Sequence, residues 1–159
     1  MNWEAVGAIG EILGAVGVIA TLVYLARQIN QNTTTVRASS AAAVSEANTS
    51  LSTLLAQDAE VNRLFWSSLS DRDSLPEEEQ RRADAIIATY IGVMEQAHDL
   101  FLEGAISEEK WTSRQAQLKW LVTKPGFGPF WEAYGPTYAK TFAEVVTEAQ
   151  LDDPSPPAA

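Results

Sequence analysis

Apolar positions along the chain repeat at helical spacing, and no segment alternates with the period of two that a strand requires. From Ala5 to Ala26 the residues are almost all apolar or small, with one charge, Glu11. Beyond Arg27, residues 28–56 contain neither Gly nor Pro, and Ile29, Thr33, Val36, Ser40, Val44, Ala47, Leu51 and Leu54 recur three or four apart. This pattern predicts one long helix, with a soft joint near 30–35 where Asn30, Asn32 and three threonines lower helix propensity.

The rest divides into helices with marked ends. Asp58 is placed to cap a short helix carrying Val61, Leu64, Phe65 and Leu69, followed by a polar turn from Ser70 to Ser74. Pro76 and the carboxylates Glu77, Glu78 and Glu79 suit the positive end of a helix that runs to about Glu103. Gly104 stands just past that end, Ser107 caps the next helix, and Pro125-Gly126 closes it. Phe127, Phe130, Trp131 and Tyr134 form an aromatic cluster, and a last helix carries Tyr138, Phe142, Val145 and Val146. The expected fold is all-α. Residues 1–37 form a membrane anchor and juxtamembrane segment, 38–151 a small helical bundle, and the proline-rich 152–159 a disordered tail.

A helix over 5–26 is about 33 Å long at ~1.5 Å per residue, enough to cross a hydrocarbon core. A secretory signal would need a basic start and a small-residue cleavage site. The chain instead opens Met1-Asn2-Trp3-Glu4 and leaves the stretch at Tyr24-Leu25-Ala26-Arg27-Gln28. The core helix of a soluble bundle is the remaining alternative, favoured by Glu11 and four glycines. As an anchor, Trp3 and Tyr24 mark its two ends, and Arg27 and Arg37 follow it with no basic residue before it. The positive-inside rule then puts the N-terminus outside and the C-terminal part in the cytoplasm.

Gly7, Gly10, Gly14 and Gly17, continued by Thr21, fall on one face of this helix. Glycine disfavours a helix by roughly 1 kcal/mol against alanine in water, whereas in lipid it lets a second helix approach closely. The expected partners are the bilayer itself and either further copies of the chain or another membrane protein. Glu11 is the one intramembrane acid. It either sits shallowly near the outer surface or faces a helix interface or wet lumen. The second case would suit a small channel-forming oligomer, the alternative to an interaction protein.

Charge and composition narrow the chemistry. The 159 residues include 11 basic and 21 acidic ones, and the net −10 lies wholly beyond residue 37. Phosphate binding runs on Lys and Arg, so nucleic acid is not an expected partner. There is no cysteine and one histidine, His98. Thiolate chemistry is excluded, and the Glu95-x-x-His98 step, which resembles half of a carboxylate di-iron site, would need a second copy to complete it. Pairing of His98 with Glu95 or Asp99 is the structural alternative. The serines stand in turn and cap positions, Gly126-Phe127-Gly128 reads as a turn, and Trp66, Trp111, Trp120 and Trp131 are assigned to the core. No catalytic residue, metal or cofactor is expected.

The opening Met1-Asn2-Trp3-Glu4-Ala5-Val6-Gly7-Ala8-Ile9-Gly10-Glu11, with Thr21-Leu22-Val23-Tyr24-Leu25-Ala26-Arg27-Gln28-Ile29-Asn30-Gln31-Asn32-Thr33, resembles the start of a widespread family of small uncharacterised bacterial proteins. Gln57-Asp58 and Pro125-Gly126-Phe127 followed by Trp131 extend the resemblance. It implies a bacterial inner-membrane protein with one N-terminal transmembrane helix and a helical cytoplasmic part. It transfers no activity.

Overall fold

The computed structural model describes the backbone of residues 3–151 and the side chains of Glu11 and residues 13–151. Among these residues there are six α-helices and no strand. The chain divides into two compact units between Ser39 and Ser40.

Helix α1 spans Trp3–Gln57 and is unbroken through 30–35. The helical backbone runs on through the residues expected to form a soft joint, and the threonine hydroxyls there turn back onto it. Thr33, Thr34 and Thr35 donate to the carbonyls of Ile29, Asn30 and Gln31 at 3.0 Å each. Such back-bonding satisfies the hydroxyl at a small cost to the helix.

The second unit begins with the end of α1. Val44 and Leu51 are buried and Ala47 half-buried, as their spacing predicts, but Leu54 is 46% exposed and Leu55 packs in its place. The stripe shifts by one residue at the helix end. There Asn62 donates to the Leu55 carbonyl at 2.9 Å and turns the chain into α2.

Helix α2 (Ala59–Asp71) is capped by Asp58, whose Oδ1 accepts from Glu60 N and Val61 N at 2.9 and 3.0 Å. A 3-10 turn, Arg72–Ser74, leads to α3 (Glu77–Leu102). Gly104, at φ +67°, takes the left-handed conformation that closes α3, which a side chain would resist. Helix α4 (Glu108–Val122) is capped by Ser107, whose Oγ accepts from Lys110 N at 3.4 Å. The aromatic cluster is itself a short helix, α5 (Phe127–Tyr134), and a second 3-10 turn, Gly135–Thr137, precedes α6 (Lys140–Leu151).

The core is aromatic at its centre. Phe127, Phe130 and Phe142 are fully buried with Ile87, Ile91, Met94 and Leu121, so α2 to α6 share one cluster. A second cluster of Val44, Val93, Ala97 and Trp111 ties the end of α1 to α3 and α4. Trp111 is buried and Trp131 half-buried, but Trp66 and Trp120 stand 47% and 44% exposed. Their assignment to the core is therefore corrected. Both fall on the solvent side of their helices, where the two rings meet edge to face.

One buried ion pair joins two elements. The guanidinium of Arg72 grips Asp84 of α3 through both oxygens, Nε to Oδ1 and Nη2 to Oδ2 at 2.8 Å, and Asp84 is 3% exposed. The hydrogen bonds to Asp84 hold Arg72 above its ordinary pKa, against the opposing effect of burial.

Candidate functional site

Within residues 11–39 every described side chain is exposed. Leu13, Val18, Ile19, Leu22 and Leu25 are large apolar groups between 46% and 66% exposed. They lie on all sides of the helix, so no single amphipathic stripe is left uncovered; the whole surface is apolar. One helix in the described chain is long and apolar enough to cross a membrane, and none of its apolar window is buried.

On this helix a Cβ added at Gly14 or at Gly17 would meet nothing within 4 Å. Gly7 and Gly10 lie outside the residues whose surroundings are described. Thr21 closes the stripe chemically as well as in sequence: its Oγ1 donates to the Gly17 carbonyl at 2.9 Å. Its hydroxyl is thus satisfied within the helix, leaving the Thr21 methyl and the glycine backbone as an apolar face. Glu11 is exposed on the same helix.

No protein-family model, curated protein or solved structure matches the chain.

The Glu95 and His98 pair reads differently in three dimensions. Glu95 Oε1 accepts the Ala139 backbone N–H at 2.7 Å, so the carboxylate anchors the entry to α6. His98 is 5% exposed and packs between Trp111 and Phe142, with ring centroids 5.1 and 5.9 Å away. No hydrogen bond joins it to Glu95 or Asp99, and its Nδ1 is buried without a partner. The pairing anticipated from sequence is corrected: the imidazole serves as an aromatic wedge between α3, α4 and α6. Among the described residues no three His, Asp or Glu side chains converge as a metal would require.

Two arrangements escape a reading of the sequence. The Arg72–Asp84 fork is one, because its partners are brought together only by the turn between α2 and α3. The other is the surface formed by Trp66, Trp120 and Lys124, where the ammonium lies 4.5 Å from the Trp120 ring centroid. Lys124 lies just past the end of α4, so no helical spacing in the sequence announces the contact.

Proposed function

We propose that the chain is a single-pass protein of the bacterial inner membrane, N-terminus outside and helical domain in the cytoplasm. It acts as a non-catalytic interaction protein, and it self-associates or docks on a membrane complex through the face of Gly7, Gly10, Gly14, Gly17 and Thr21. The observation that carries this reading is the uncovered apolar surface of α1, where side chains about half or more exposed surround the helix. Burying such a surface is worth roughly 25 cal/mol per Å², and lipid is the environment that buries all faces at once.

Packing in lipid gains nothing from apolar burial, so it relies on close contact and many small dispersion terms. Open space beside Gly14 and Gly17 leaves room for a second backbone, and the internally bonded Thr21 adds no unsatisfied donor. Arg27 and Arg37, on one side of the stretch, support the orientation. The resemblance to small bacterial proteins with one membrane helix supports the same placement.

The test is association in a native membrane, read by cross-linking or a membrane two-hybrid assay. Gly10→Ile with Gly14→Ile should abolish association while insertion persists, and Leu13→Ile should leave it intact. Association unchanged by the double substitution would reduce α1 to a tether.

A further inference from the structure

Helices α2, α3 and α4 together present a surface that neither the fold nor the membrane reading uses. Trp66 of α2 and Trp120 of α4 meet edge to face, with centroids 5.6 Å apart, and both remain nearly half exposed. Beside Trp120 lies a shallow recess of about 440 Å³ lined by Tyr90, Ser113, Ala116 and Gln117. Along α4 the positions Lys110, Ser113, Gln117 and Trp120 alternate three and four apart, so they share one face, and Lys124 follows just beyond the helix end.

Charge sets this face apart. Between Lys110 and Lys124 every charged residue is basic, in a chain whose net charge is −10. Lys124 sits over the Trp120 ring. Arg114 lies near enough to Tyr90 for its charge to act on the hydroxyl, opposing the upward push of burial. Two of the residues that line the recess, Trp120 and Tyr90, thus each have a cation nearby. Tyr, Trp and Arg around a concave feature are side chains enriched in protein interfaces: the two aromatics bring large area with little entropy to lose, and Arg a planar fork of donors.

We propose that this surface binds an acidic polypeptide segment, with one apolar anchor side chain in the recess and carboxylates on Arg114 and Lys124. A protein segment fits better than an anionic lipid surface. A narrow peptide meets only the basic face, whereas a charged plane would confront the whole acidic domain and be repelled. This inference stands on α2, α3 and α4 alone and does not depend on the placement of α1.

The test uses the full chain in a neutral detergent and the anisotropy of a fluorescein-labelled peptide of Glu-Glu-Leu repeats. A peptide of Ser-Ser-Leu repeats is the control. The acidic peptide should bind about tenfold or more tightly than the control, and less tightly as salt rises. Trp120→Ser and Lys124→Glu should each weaken binding by about tenfold. Gln117→Glu, an exposed change that leaves the tryptophan pair intact, should also weaken it. Lys140→Glu, the same charge change outside the recess, should leave affinity within about twofold. Equal binding of both peptides would overturn the proposal, as would equal weakening by Lys140→Glu and Lys124→Glu. Displacement of the peptide by short-chain phosphatidylglycerol would assign the surface to lipid headgroups and overturn it likewise.

Discussion

Gly126 is where a single methyl group should do most damage. A Cβ built there would lie 1.8 Å from the Ser68 carbonyl oxygen, 2.9 Å from its carbon and 3.0 Å from the Leu69 carbonyl carbon. All three are backbone atoms of α2, so no side chain can swing aside. Gly126 N also donates to the Leu69 carbonyl at 3.0 Å. Restoring an ordinary contact near 3.5 Å requires the two segments to part by more than ~1.5 Å. That separation breaks the hydrogen bond, worth about 1 kcal/mol net, and leaves buried polar groups unpaired at about 1–3 kcal/mol more. It also loosens Phe127 and Phe130 from Phe65 and Leu69, and overpacking alone costs typically 1–3 kcal/mol. Gly126→Ala should therefore destabilise the bundle by about 3 kcal/mol or more. Gly92 is the internal control: it lies within α3, an added Cβ meets nothing within 4 Å, and Gly92→Ala should stabilise by up to about 1 kcal/mol. Urea unfolding of the full chain in neutral detergent, followed by tryptophan fluorescence, measures both. A Gly126→Ala midpoint indistinguishable from wild type would refute the close approach of α2 to the start of α5.

Arg72→Ala should cost about 3–5 kcal/mol in the same assay by stranding Asp84 as a buried unpaired charge, and Arg72→Met with Asp84→Leu should recover most of it. If the double variant is as unstable as the single one, the loss comes from packing and not from the bare carboxylate. Burial raises the pKa of Tyr90 and Tyr138 above 10.0, so the unfolded chain releases those protons first. The bundle should keep its stability below about pH 10 and lose it as pH rises further, and Tyr90→Phe with Tyr138→Phe should flatten that loss. An alkaline unfolding profile unchanged by the double substitution would contradict the buried hydroxyls. Glu11→Gln should leave membrane association unaltered if the acid is shallow; altered ion conductance would favour a channel instead.

Much of the fold is legible in the sequence because helix ends are written locally. Asp58, Ser107 and Gly104 each act within a few residues, by a side-chain acceptor or a left-handed backbone, and the structure uses all three as their types suggest. What distance in sequence hides is pairing. Gly126 reads as a terminator of α4, yet its missing Cβ matters because α2 lies against it. Glu95 reads as the neighbour of His98, yet it bonds the backbone of Ala139, 44 residues on. Trp120 carries no local sign of its face, because α4 has no clear apolar stripe. The apolar stretch of α1 is legible for the opposite reason: its chemistry is continuous along the chain and needs no partner to be read.

The proposed function turns on lipid covering the apolar stretch of α1 that ends at Ala26. Alkaline carbonate extraction of membranes from expressing cells tests it directly, since it strips peripheral proteins and leaves spanning helices in place. The intact chain should remain in the membrane pellet. Recovery of the intact chain in the supernatant would contradict the account and assign the cover of that helix to protein.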